Sequence, residues 1–288
     1  MQALHSQTKP DNQCWFAPAK LNLFLHITGR RPDGYHNLQT LFQILDWGDE
    51  LRFSINNSGQ ISRSCNIDSI AEHEDICVRA AFLLKHRGGV QKGVHIDLIK
   101  RIPMGAGLGG GSSDAATVLR ALNQLWSCGL SVQQLADLGL ELGADVPVFV
   151  HGHSALAHGK GEKLTAVELG QRYYVLVFPG IGISTAEVFG HPSLKRDSDP
   201  MEVSRTRLQP GRNDCEAIAL QMYPELKTIM QVMSAWGQAH MSGTGSTLFL
   251  QFDNKKTAIS AARELECNYN VRVVGGVDKS HLLHSLAD

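Results

Sequence analysis

Pro103-Met104-Gly105-Ala106-Gly107-Leu108-Gly109-Gly110-Gly111-Ser112-Ser113-Asp114 is the stretch whose reading decides the fold. Five of its residues are glycine, and two hydroxyls and a carboxylate close it. Before it, Val94-His95-Ile96-Asp97-Leu98-Ile99 alternates apolar and polar residues, which predicts a half-buried strand. After it, Ala115, Val118, Leu119, Leu122 and Leu125 recur at helical spacing, which predicts a helix from Ser113 to about Trp126. Strand, glycine loop and helix in that order let successive backbone N–H groups converge on one point. The helix start adds unsatisfied donors and the positive end of its dipole. Such a concavity suits an anion, above all a phosphate chain. On the loop alone, a flexible turn remains the alternative.

Gly105, Gly107 and Gly110 satisfy the G-x-G-x-x-G dinucleotide fingerprint. The alternating strand argues against that assignment, because a doubly wound parallel sheet buries its strands on both faces. The following helix is also succeeded by another helix rather than by a strand ending in an acidic residue. The Walker A loop fails because Gly111 stands where its lysine belongs. The cation that handles phosphate must therefore come from elsewhere in the chain.

Composition narrows the classes further. At 288 residues, with 43% hydrophobic and 19% charged residues, the chain can bury a core and is long enough for one large domain or two ordinary ones. A formal charge of -1 argues against nucleic-acid or membrane-surface binding through bulk electrostatics. The six cysteines, at 14, 65, 77, 128, 215 and 267, form no C-x-x-C. They fit reduced thiols in a cytoplasm. Residues 1–16 are polar and resemble neither a signal peptide nor an anchor, and no run approaches a membrane span.

Residues 1–14 read as a loose tail. Leu21, Leu23, Leu25 and Ile27 alternate with Lys20, Asn22, Phe24 and His26, which predicts a strand with one face toward the core. Arg30 to Gly34 is turn chemistry. Two further strands are expected within Leu38–Leu45 and Glu50–Ile55, and a helix over Ile76–Arg87 stopped by Gly88-Gly89. Ser112, Ser113 and Asp114 compete to cap the helix after the glycine loop, and the hydroxyls could also meet phosphate or Mg²⁺. Ser131 and Gln134 form a capping box for the next helix, which Gly143 ends. Asp145 then falls in a loop before an apolar strand beginning at Val146. His151, His153 and His158 lack a fitting further ligand and predict no metal site. Later come a strand at Tyr173–Phe178, a mobile loop over 191–212, helical starts at Asn213 and Pro224, a second glycine loop from Met241 to Thr247, a strand at Leu248–Phe252, a helix at Lys256–Glu266 and a strand at Val271–Val274.

The 103–116 stretch resembles the phosphate loop of the GHMP kinases, which phosphorylate galactose, homoserine, mevalonate and phosphomevalonate. Ala17-Pro18-Ala19-Lys20-Leu21-Asn22-Leu23 is similar to their amino-terminal motif, and Ser242-Gly243-Thr244-Gly245-Ser246-Thr247 to their carboxy-terminal glycine loop. Arg31-Pro32-Asp33-Gly34-Tyr35-His36 and Gly143-Ala144-Asp145-Val146-Pro147 resemble one branch of that family, which acts in the non-mevalonate isoprenoid route. The resemblance runs from about residue 15 to the carboxy terminus. It implies an α+β, two-lobed fold with mostly antiparallel sheets and a glycine-loop nucleotide site between the lobes. The lobes would divide near residue 155, into an ATP-binding half (1–155) and a substrate-side half (156–288). It implies transfer of phosphate from ATP, with Mg²⁺, to the 2-hydroxyl of a cytidine diphosphate-linked methylerythritol, in a cytoplasmic monomer or homodimer.

By the same resemblance, Asp145 takes the hydroxyl proton and Lys20 supplies the charge beside it. The nucleotide-binding residues would be Pro103, Met104, Gly105, Ala106, Gly107, Leu108, Gly109, Gly110, Gly111, Ser112 and Ser113. Asn22, Tyr35, His36, Thr185, Phe189 and Gly243 would meet the substrate, with Tyr35 and Phe189 on the faces of the cytosine and His36 on its polar edge. The alternatives are another GHMP kinase, a dinucleotide-binding oxidoreductase built on Gly105, Gly107 and Gly110, or a non-catalytic nucleotide binder.

Overall fold

In the computed structural model, which describes residues 13–67, 74–201 and 208–286, the chain opens on two long paired strands. These are β1 (Trp15–Arg30) and β2 (His36–Asn56), antiparallel and joined by the expected turn. Then follow β3 (Ile61–Cys65), α1 (Ile76–Gly88), β4 (Gly93–Ile99), α2 (Gly110–Leu125), α3 (Val132–Leu142), α4 (Val146–His151), β5 (Ala155–Gly159), β6 (Lys163–Ala166) and β7 (Arg172–Phe178). The rest of the chain forms α5 (Thr185–Gly190), α6 (Glu216–Met222), α7 (Glu225–Met233), β8 (His240–Met241), β9 (Leu248–Phe252), α8 (Lys255–Leu265), β10 (Asn270–Val277) and α9 (Leu282–Leu286). Residues 1–12 of the expected tail, and residues 202–207 of the expected loop, lie outside the described residues.

The strands join in the order β3-β4-β2-β10-β7-β9-β8, with β1 and β5 also paired to β2 and β6 paired to β5. Among the described residues only β3 and β4 run parallel, so the sheet is mostly antiparallel and the fold is α+β. Helices α1 to α4 cover the first half, around Trp15, Phe42, Phe53, Leu119, Leu122 and Phe149. A second core, around Ile27, Val175, Val177, Leu226, Met233 and Leu265, lies under α6 to α8. A third buries Leu21, Phe24, Leu41, Tyr174 and Phe249 with Ala106 and Leu108 of the glycine stretch, so the loop is seated on the sheet. Leu282 of α9 returns to the first core.

Three local expectations change. Leu38–Leu45 and Glu50–Ile55 are one strand, because the polar residues between them are satisfied by neighbouring chain. Asp46 accepts from Gly275 N at 2.7 Å, and Asp49 accepts from Ile102 N at 2.8 Å. Gly48 allows the close approach of β1: a Cβ there would stand 2.0 Å from Ala17 O. Val146–His151 is a helix rather than a strand, with Pro147 in its first turn. A short apolar run of this kind reads equally as buried helix or strand. Finally, α2 begins at Gly110, so Ser112, Ser113 and Asp114 lie within its first turns and none caps it. The capping box at Ser131 forms as expected. The strand β1 is buried on both faces, including Lys20 and Asn22.

Ser154 ties β2 and β10 to the start of β5. Its Oγ donates to Val277 O at 2.8 Å and accepts from Ile44 N at 2.9 Å and Gln43 Nε2 at 3.1 Å. Ser154→Ala takes the Oγ acceptor from the buried Ile44 N, while Gln43 Nε2 and Val277 O keep each other at 3.0 Å, and is expected to cost about 1–3 kcal/mol. In urea unfolding the midpoint should fall with an unchanged m-value; an unmoved midpoint would contradict this account.

Candidate active site

The glycine stretch owes its shape to backbone that only glycine adopts readily. Gly105, Gly107 and Gly109 have φ of 63°, 73° and 70°. At Gly107 a Cβ would stand 2.2 Å from Ser242 O, in the second glycine loop. The two loops are stitched together: Ser242 Oγ donates to Gly107 O at 2.8 Å, and Thr247 N to Ala106 O at 3.2 Å. No side chain caps α2, so its first N–H groups face the loop's concavity without a side-chain partner.

Lys20 enters this arrangement from β1. Its backbone N–H donates to Leu108 O at 3.0 Å, and its Nζ donates to Gly107 O at 3.0 Å and to Asn22 Oδ1. The same ammonium lies 3.4 Å from Asp145 Oδ2 and 5.5 Å from the centre of the Phe42 ring. The lysine side chain is 3% exposed and the Asp145 side chain 34%, so the pair is a buried cation beside a carboxylate open to the cleft. Asp145 is the residue before α4, yet its side chain makes no capping bond and stays directed to other partners.

The cleft holds about 540 Å³ and is lined from both halves of the chain. Pro103 to Gly111 and Ser112 line it, as do Lys20, Asn22, Asp145, Thr185, Phe189 and Gly243. Ser113 does not; it is buried beneath the loop. Thr185 and Thr244, both in the cleft lining, share a hydrogen bond of 3.0 Å. Asn22 N donates to Ser242 Oγ at 3.1 Å, which brings Asn22 beside Gly243. Tyr35 and His36 stand outside the lining. Tyr35 is 57% exposed with Lys160 Nζ 3.9 Å from its ring centre, and His36 stacks on Phe189 at 5.2 Å between centroids.

Sequence reasoning passed over two contributors. Lys100, which ends the approach to the loop, joins two buried carboxylates: its Nζ is 2.5 Å from Asp49 Oδ2 and 2.7 Å from Asp114 Oδ2. This clasp ties β2 to the start of α2 at the two ends of the glycine loop. Lys160 lines the cleft and reaches Asp33 at 3.1 Å. A basic residue immediately before the loop was visible in the sequence, but its partners are 51 and 14 residues away.

Three comparisons bear on what this site serves. The model of the GHMP kinases N terminal domain matches residues 75–153, and that of the GHMP kinases C terminal matches residues 193–271. Together they span more than half of the chain, which belongs to the GHMP kinase family. A 4-diphosphocytidyl-2-C-methyl-D-erythritol kinase of Alkalilimnicola ehrlichii is 50% identical over 272 residues, covering 94% of this chain and 94% of the relative. One of Vibrio cholerae is 45% identical over 274 residues, covering 95% and 94%. A crystal structure of 4-(cytidine 5'-diphospho)-2C-methyl-D-erythritol kinase superposes with a TM-score of 0.80 at 34% identity, covering 92% of this chain and 99% of that one. Within the GHMP kinases, the chain belongs with the 4-diphosphocytidyl-2-C-methyl-D-erythritol kinases. Homoserine kinase from Cytophaga hutchinsonii, at a TM-score of 0.66 and 15% identity over 96% of this chain and 98% of that one, shares the fold.

The clasp has a pH signature. Burial raises the Asp114 carboxyl above the usual carboxylate range; Lys100 opposes this and Asp49 adds to it. Burial disfavours the Lys100 charge, but the two carboxylates outweigh it and raise that pKa. A carboxyl raised in the fold binds a proton on folding, so its contribution is present in acid and is lost as pH rises toward the folded pKa. The wild-type melting temperature should therefore fall between about pH 5 and about pH 8 more steeply than that of Asp114→Asn. Parallel profiles for the two proteins would contradict the assignment.

Proposed function

We propose that this chain transfers the γ-phosphoryl group of ATP to the 2-hydroxyl of 4-diphosphocytidyl-2-C-methyl-D-erythritol, a step of the non-mevalonate isoprenoid route. The carrying observation is the Lys20–Asp145 contact of 3.4 Å in the cleft walled by the glycine loop. Phosphoryl transfer asks a protein mainly for alignment and charge stabilisation. The loop amides of residues 103–113 and the start of α2 hold the phosphates. Glycine there lets backbone approach where any side chain would collide with the neighbouring loop.

Asp145 accepts the proton of the attacking hydroxyl, and its partial exposure to the cleft gives that hydroxyl access. Lys20 holds Asp145 and the Gly107 carbonyl with one ammonium, so it fixes the base relative to the phosphate loop. The same charge stabilises negative charge developing on the transferred group. Asn22, Thr185 and Gly243 position the sugar side of the substrate. Tyr35, His36 and Phe189 take the cytosine, and of the three Phe189 lines the cleft.

Mg²⁺, bound with ATP, would supply neutralisation of phosphate charge. Among the described residues no group of three or more His, Cys, Asp or Glu could hold a metal. The Ser112 hydroxyl, in the cleft lining, would be the protein oxygen available to the ion. The division into an ATP-side half, residues 1–155, and a substrate-side half, residues 156–288, belongs to the same proposal. So does a cytoplasmic monomer or homodimer. All six cysteines are free thiols, and no helix among the described residues is long and apolar enough to cross a membrane.

Asp145→Asn tests the proposal. With the cytidyl substrate and ATP, kcat should fall about 10²–10⁴-fold while the KM for ATP stays within about threefold. Undiminished turnover would remove Asp145 as the base. Turnover of homoserine but not of the cytidyl substrate by the unaltered protein would remove the substrate assignment.

A further inference from the structure

Arg196 lies in the segment after α5, outside every motif that the sequence singles out. It makes four hydrogen bonds. Its Nη1 donates to Leu194 O at 3.0 Å, and its Nη2 to Phe189 O at 2.9 Å and to His191 O at 2.8 Å. Its Nε donates to His36 Nε2 at 3.1 Å. Three of these bonds lock the guanidinium to the backbone that carries Phe189. The fourth fixes the imidazole that stacks on the Phe189 ring at 5.2 Å and 27°.

A guanidinium has five donors, no acceptor and no accessible neutral form. Its partner nitrogen must therefore present a lone pair. An imidazole whose Nε2 accepts is neutral only with its proton on Nδ1, and that nitrogen becomes the ring's hydrogen-bond donor. The surroundings agree: burial lowers the pKa of His36, and the charges of Arg196 and Arg30 lower it further. Arg196 thus determines not only where His36 sits but which sign of hydrogen bond it offers.

We propose that Arg196 is a specificity-determining positioning residue. It holds His36 as the Nδ1–H tautomer, so that the imidazole donates to an acceptor on the substrate's base and selects cytosine over uracil. This rests on the reading that His36 meets the base edge. Cytosine carries a ring-nitrogen acceptor at N3 where uracil carries an N–H donor. A fixed donor rewards the first and leaves two hydrogens opposed against the second. A polar site that leaves buried groups unpaired against the wrong ligand discriminates strongly. Freed from Arg196, the ring can adopt the other tautomer, whose Nδ1 lone pair accepts the uracil proton.

The test compares the cytidyl substrate with its uridine diphosphate counterpart in the wild-type protein, Arg196→Met and Arg196→Lys. Arg196→Met should reduce the cytidine-over-uridine ratio of kcat/KM by about tenfold or more, chiefly through KM. Arg196→Lys retains a cationic donor and should recover most of that ratio. In His36→Ala the ratio should already be low, and adding Arg196→Met should change it little further. Because Arg196→Met could also loosen the segment, ¹⁵N NMR of the wild-type imidazole supplies an independent readout: Nδ1 protonated and Nε2 not. A protonated Nε2 in the neutral ring overturns the proposal, as does an Arg196→Met protein that keeps the wild-type ratio. Absence of any turnover of the cytidyl substrate by the wild-type protein would instead overturn the proposed function, while the NMR result would still judge the tautomer.

Discussion

The arrangement depends on one buried ammonium. Lys20 is almost fully enclosed, and a desolvated cation is tolerable only if its donors are used. It uses them on Asn22, the Gly107 carbonyl and Asp145, which come from β1 itself, the phosphate loop and the start of α4. Removing any of these leaves the charge short of partners. One side chain therefore couples the loop that would hold phosphate to the carboxylate that would receive a proton. The glycine loop carries no cation of its own, and the lysine that serves it arrives from more than eighty residues away.

A second constraint acts from below. The Asp49–Lys100–Asp114 cluster joins the middle of β2, the end of β4 and the first turns of α2. Two carboxylates around one ammonium cannot both be ionised without strain on the balance of charge, and burial pushes the same way. The loop between Lys100 and Asp114 is thus anchored at both ends while its amides remain available to a ligand. The second glycine loop closes against it through Ser242 and Thr247, so the glycine wall of the cleft is assembled by both halves of the chain.

Much of this was legible in the sequence because it is local. The alternation of 94–99, the glycines of 105–111, the capping box at Ser131 and the helical spacing after Ala115 each encode their own backbone. The long β2 strand was not: two strands were expected, and the polar residues between them, Asp46 and Asp49, stay in one strand through tertiary partners. The helix at Val146–His151 was missed since five apolar residues in a row carry no usable period. At the site, Lys20 and Asp145 look like a strand-end lysine and a turn aspartate when taken singly, and only motif resemblance brought them forward. Lys100 and Arg196 matched no motif the reading used, and their meaning lies wholly in what the fold places against them.

The most direct measurement is the position of the substrate hydroxyl in a crystal structure of the complex with a non-hydrolysable ATP analogue and 4-diphosphocytidyl-2-C-methyl-D-erythritol. The account predicts the 2-hydroxyl oxygen at about 2.6–3.2 Å from an Asp145 carboxylate oxygen, with Lys20 alongside and the γ-phosphoryl group over the 105–111 amides. A hydroxyl resting against another side chain, with Asp145 and Lys20 engaged only with each other, would contradict it.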